Sequence, residues 1–167
     1  MQQSESRDDR LNRLERKAGD YEELYGSCAQ GTLLALQEEF GLEDIQTLKA
    51  ATAMPGIALR GETCGALIGA IMALGMAMGR EKHDDFVSLQ RTTIAARKLC
   101  RRFEREFGGC NCLEVQRHIF GRYYDLADPA ESLEFIQADA ARKCRAPAGR
   151  AARIAGELIL DGIEKTL

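Results

Sequence analysis

Six cysteines are the residues of this 167-residue chain best suited to chemistry: Cys28, Cys64, Cys100, Cys110, Cys112 and Cys144. Three of them follow a helix-start signal. Ser27-Cys28-Ala29-Gln30 and Asn111-Cys112-Leu113-Glu114 read as capping boxes, and Thr63-Cys64-Gly65-Ala66 has the capping residue without the acid. Each of these cysteines is predicted at the first helical position. There the free backbone N–H groups and the positive end of the helix dipole favour an anion, so the thiol is expected to be more acidic and a better nucleophile or metal ligand. Cys144 lies in a purely basic stretch, with Arg142, Lys143, Arg145, Arg150 and Arg153 and no acid between 142 and 153. The first 45 residues, by contrast, carry eleven acids against five bases. Positive charge beside Cys144 is expected to favour a thiolate, or an anionic cluster held by several thiolates.

The other two cysteines read differently. Cys100 falls mid-helix on an apolar face and is expected to pack in the core. Cys110 follows Gly108-Gly109 and pairs with Cys112 as Cys-Asn-Cys, which makes it a substitute ligand, a resolving thiol or a bystander. His83 and His118 sit in charged, surface-like contexts. No C-x-x-C, C-x-x-C-H or phosphate-loop pattern is present, so a thioredoxin motif, a zinc ribbon, attached c-type haem and a nucleotide loop are not expected.

The elements that must position these thiols are helical. Leu11, Leu14, Ala18, Tyr21 and Tyr25 recur at helical spacing and predict a first helix over 7–25. Further helices are predicted over 28–40, 43–53, 64–79, 84–107, 112–120, 129–139 and 147–166, with a loop over 55–61. Phe86, Leu89, Ala96, Leu99, Cys100, Phe103 and Phe107 line one face of the 84–107 helix. Gly65, Gly69, Gly75 and Gly79 are spaced to let neighbouring backbones approach closely. The uncharged run Thr63–Gly79 is 17 residues long, at the lower edge of a membrane span, and reads as a buried core helix. No stretch alternates long enough for a sheet. The expected fold is a single all-α domain over 1–167, a compact bundle of about six to eight helices.

Composition agrees with that reading. The chain is 45% hydrophobic and 29% charged, enough for one core and against disorder. A net charge of −3 and a pI near 5.5 remove the electrostatic case for a nucleic-acid binder. No secretory signal is visible at the polar N-terminus, so a reducing cytoplasm is the expected setting, in which cysteines bind metal or do redox chemistry.

Cys64-Gly-Ala-Leu-Ile-Gly69 resembles the central motif of the C-GCAxxG-C-C family, which is described as redox-active proteins with four cysteines. Tyr25-Gly-Ser-Cys28-Ala-Gln30, Phe107-Gly-Gly-Cys-Asn-Cys112 and Cys144 resemble the other cysteine segments, so the resemblance runs from about residue 25 to 167, behind an N-terminal helix over 1–24. It implies a site on Cys28, Cys64, Cys112 and Cys144, with Cys110 as a possible substitute. The first expectation is an iron–sulfur cluster on these four, serving electron transfer or redox sensing with a partner protein. The alternatives are a metal-free dithiol/disulfide protein and a structural zinc module held by four cysteines. The ligands are separated by 36, 48 and 32 residues, so only the folded bundle could bring them together. A substrate-turning enzyme has little support, because no nucleophile–base set stands out. A homodimer packed through the Gly/Ala-rich helix is a further expectation.

Overall fold

The structure, a computed structural model, describes residues 5–164. Nine right-handed helices carry the fold among them. They are α1 (Arg7–Tyr25), α2 (Cys28–Phe40), α3 (Ile45–Ala50), α4 (Gly65–Met78), α5 (Phe86–Phe107), α6 (Cys112–Phe120), α7 (Pro129–Gln137), α8 (Ala140–Lys143) and α9 (Arg145–Glu164). No strand is present among the described residues, and the all-α expectation holds. No helix among them is long and apolar enough to cross a membrane.

Local chemistry sets most boundaries. Ser6 caps α1 by accepting from the Asp9 N–H, and Asp85 caps α5 by accepting from Ser88 at 2.9 Å. The predicted loop over 55–61 is a tight left-handed turn, in which Gly56, Ile57, Ala58 and Leu59 all have positive φ. Three of those four residues carry a Cβ, so this turn is strained and depends on its surroundings. Several helices differ from expectation: the 43–53 helix spans only Ile45–Ala50, and the 84–107 helix begins at Phe86. The 129–139 helix ends at Gln137, and Asp139 adopts a left-handed φ of 65° before α8. The last helix begins at Arg145 rather than at Pro147, which sits in its first turn, where a missing N–H breaks no helical bond. Its predicted end at 166 lies outside the described residues.

Helices α1, α2, α4 and α9 pack around one core, and α5 closes over α4 and α9. Leu14, Leu33, Leu36, Leu67, Leu74, Leu99, Phe103 and Ile154 are fully buried there. The long apolar segment is the core helix expected, running through the middle of the bundle. Two of its four glycines permit close approach. A Cβ on Gly65 would lie 2.5 Å from Cys28 Sγ, and one on Gly69 would collide with the Ala29 carbonyl oxygen. Helices α2 and α4 can therefore touch at this end only with glycine at both positions. The expectation fails for Gly75, which faces open space, and for Gly79, whose missing Cβ would meet only its own helix at Gly75.

Gly69→Ala should therefore destabilise the fold by roughly 1–3 kcal/mol through overpacking. Gly75→Ala should stabilise it by about 0.5–1 kcal/mol through helix propensity. Denaturant unfolding of both variants checks the contrast, and equal effects would show that the close contact is not limiting.

Candidate functional site

The four cysteines singled out by pattern all stand at helix starts, but not in one equivalent position. Cys28 and Cys112 are first residues of α2 and α6, as expected. Cys64 is itself the cap of α4, which begins one residue later than predicted. The backbone N–H groups of Ala66 and Leu67 act on its sulfur and favour the thiolate, although no side-chain capping hydrogen bond of the Ser or Asp kind forms. Cys144 ends α8 and immediately precedes α9, and its carbonyl accepts from Ala148 in the first turn of α9.

A short antiparallel clip fixes two of these segments. Cys64 N–H donates to the Cys110 carbonyl at 2.8 Å, Cys112 N–H donates to the Glu62 carbonyl at 2.6 Å, and Thr63 faces Asn111 in an isolated bridge. The Asn111 cap forms as predicted, with Glu114 Oε2 accepting from the Asn111 N–H at 2.9 Å. At Ser27 only half the expected box forms. Its oxygen accepts from Gln30 N–H at 3.5 Å, while the Gln30 amide turns away to the Leu48 carbonyl and Thr52.

Four helix starts thus converge, and their thiols feel one another. The neighbouring Cys28 thiol, with the Ala66 and Leu67 amides, lowers the Cys64 pKa against the effect of burial. The Cys64 sulfur, burial and the charges of Cys64, Glu22 and Cys144 push the Cys28 thiol up. Cys112 is raised to about 11, first by burial and then by the Cys64 charge, although Gln116 Nε2 donates to its sulfur at 3.4 Å. Gln116 is itself fixed, because its Oε1 accepts from the Tyr124 N–H at 2.8 Å. Cys144 is raised by burial and by the charges of Glu22, Cys64 and Cys112. The expectation of four activated thiolates is therefore corrected to one. Helix-end placement lowers only the thiol whose sulfur meets the free amides, and burial dominates at the other three.

The basic stretch does not act on Cys144 as expected either. Arg145 pairs with Asp20 and Glu23, Arg150 with Glu15 and Glu106, and Arg153 with Asp8, Glu15 and Glu157. The acids of α1 thus neutralise these α9 arginines, and their shared charge docks one helix on the other.

One site residue escaped the pattern. Glu22 is only 7% exposed, and its Oε2 has no hydrogen-bond partner among the described residues. Its charge raises Cys28, Cys112 and Cys144, which places the carboxyl among the thiols. Burial and then the Cys64 charge raise its own pKa to about 8. The approach of α1 depends on Gly31 in the first turn of α2, where a Cβ would meet the Glu22 backbone nitrogen at 3.1 Å. The signal was its spacing: Glu22 stands four residues beyond Ala18 on the buried stripe, whereas Tyr25, assigned to that stripe, is 65% exposed.

The remaining candidates lie elsewhere. Cys100 is half-buried at the core's edge, not in its interior, and its carbonyl accepts from the Cys110 thiol at 3.7 Å. Burial and then the charges of Cys100, Glu104 and Glu114 act on Cys110. His83 and His118 are exposed, as expected.

Residues 26–158 match the model of the family described as "Putative redox-active protein (C_GCAxxG_C_C)". The chain belongs to the C_GCAxxG_C_C family. No curated protein and no solved structure matches it. The glycines of the family motif, Gly65 and Gly69, are the two that let α4 meet Cys28 and Ala29. The motif is thus the contact that brings the first two cysteines together.

The expected iron–sulfur cluster can be weighed against this geometry. Four sulfur donors are the right chemistry for it. Among the described residues, however, no group of three or more Cys, His, Asp or Glu side chains is arranged so that it could hold a metal ion. The neighbouring carboxyl is a further anionic group, and Arg145, Arg150 and Arg153 are paired with acids of α1, α5 and α9. The pocket as arranged does not fit the cluster.

A carboxyl whose pKa is higher in the fold than the ordinary 4.5 keeps its proton longer when folded than when unfolded. Its contribution is therefore most favourable below pH 4.5 and is lost as pH rises towards 8. Glu22→Gln should remove that loss, so the variant's advantage over the parent should grow by roughly 2–5 kcal/mol across this window. Unfolding measured at a series of pH values checks it; a constant difference would show that Glu22 ionises freely.

Proposed function

We propose that this chain is a thiol-based redox protein in which Cys28 and Cys64 interconvert between dithiol and disulfide. The observation that carries the reading is the approach of Cys28 Sγ to the start of α4, where a Cβ on Gly65 would lie 2.5 Å from it, beside a Cys64 thiol whose pKa is lowered by Cys28 and by the Ala66 and Leu67 amides. In the reducing direction an external thiolate attacks Cys28 Sγ, the member of the pair on the more exposed residue. The S–S bond breaks, and its electron pair leaves with Cys64. A low-pKa thiol is the better leaving group, which gives the Ala66 and Leu67 amides a kinetic role. A second external thiolate then releases Cys28, which takes up one proton. Glu22, held largely protonated at neutral pH, is positioned to supply that proton and regains one from water. The net result is a reduced pair and an external disulfide, and oxidation runs the same steps backwards. Cys112 and Cys144 stay protonated and line the pocket.

Convergence of four sulfur donors favours a second reading: an iron–sulfur cluster on Cys28, Cys64, Cys112 and Cys144 in electron transfer or redox sensing. A structural zinc site on the same four cysteines is a third, with no observation of its own. Anaerobic purification followed by visible absorption and iron, sulfide and zinc assays separates them. The expected protein is colourless, with neither iron nor zinc in stoichiometric amount. Oxidised glutathione should consume two thiols, and peptide mapping should place the new disulfide between Cys28 and Cys64. Cys64→Ser should abolish that disulfide. Stoichiometric iron and sulfide that disappear in Cys64→Ala would overturn the reading in favour of the cluster.

A further inference from the structure

Cys100 and Cys110 take no part in the four-thiol pocket, yet they are not isolated. Helix α5 carries Cys100 on its last turns, and Gly108, with φ of 77°, ends the helix and folds the chain back. That reversal lets the Cys110 thiol donate to the Cys100 carbonyl oxygen at 3.7 Å, and the two thiols act on each other's ionisation. Both residues are half-buried and pack against the edge of the core. The Cys110 carbonyl is also the acceptor for the Cys64 N–H at 2.8 Å.

We propose that Cys100 and Cys110 form a second dithiol/disulfide couple, open to small disulfides of the glutathione class, whose closure clamps the loop that holds the Cys64 backbone. The Cys110 thiol, held on the Cys100 carbonyl, lowers the Cys100 pKa against burial, which makes Cys100 the attacking sulfur. Its thiolate displaces one glutathione thiolate and forms a mixed disulfide. Cys110 then loses its proton to water and attacks the Cys100 sulfur, releasing the second glutathione. Two protein thiols and one external disulfide become one protein disulfide and two external thiols. Burial raises both thiols, Cys110 to about 11, so this couple reacts slowly at neutral pH and faster in base.

The test uses the full chain with oxidised glutathione as probe. Peptide mapping should find Cys100 joined to Cys110, and closure should speed up about tenfold per pH unit between roughly pH 7 and 8. Cys110→Ser should trap glutathione on Cys100. The Cys64 amide should exchange its hydrogen at least about tenfold more slowly in the linked protein, because its acceptor loop is then fixed. Glutathione stopping on either cysteine of the unaltered protein, or Cys110 linked to Cys112, would overturn the couple. An unchanged Cys64 exchange rate in linked protein would overturn the clamp. The Cys28–Cys64 disulfide is mapped to different peptides in the same experiment, so either couple can fail without the other.

Discussion

Burying several acidic groups in one place is the constraint on which the rest of this structure turns. Four thiols and the Glu22 carboxyl come together in a largely buried region, and ionised groups there raise their neighbours. Negative charge in a low-dielectric interior must be either refused or met by fixed dipoles. The fold does both. The Ala66 and Leu67 amides at the start of α4 act on Cys64, and the remaining groups are held towards their neutral forms.

That arrangement depends on backbone contact more than on side-chain packing. Gly65 and Gly69 let α4 approach α2 until Cys28 reaches Cys64, and Gly31 does the same for α1 and the backbone of Glu22. The clip between Cys64 and Cys110 fixes the third segment, while arginines of α9 bind the acids of α1 and hold the fourth. A charge run that reads as an activating field is instead a docking surface. It tightens the bundle around the pocket, and its effect on the thiols is mechanical rather than electrostatic.

The two sets of cysteines overlap in exposure: Cys64 alone is buried, 4% exposed beneath the helices that hold it, while Cys28, Cys112 and Cys144 are half-buried, as are Cys100 and Cys110. The two sets meet at one peptide group, the Cys110 carbonyl that receives the Cys64 N–H. A covalent change at Cys100 and Cys110 would thus act on Cys64 through the backbone, without an exchange of electrons between them.

Much of this was legible in the amino-acid order. Helical periodicity defined the all-α class, and the glycine and cap signals placed most helix ends within two residues, because those rules act locally. Cys28, Cys64, Cys112 and Cys144 stood out for the same reason, each beside a helix start. Helix-start chemistry could not by itself rank their acidity, since that depends on which sulfur meets free amides and which is simply buried. Glu22 looked like one more acid of an acidic first helix until α2 and α4 closed over it. Cys100 read as a core residue until the chain reversal at Gly108 brought Cys110 against it. Residue types and short spacings determined which groups could do chemistry; only the packing of distant segments decided their protonation and their partners, because desolvation and charge coupling arise from contacts that the linear order does not contain.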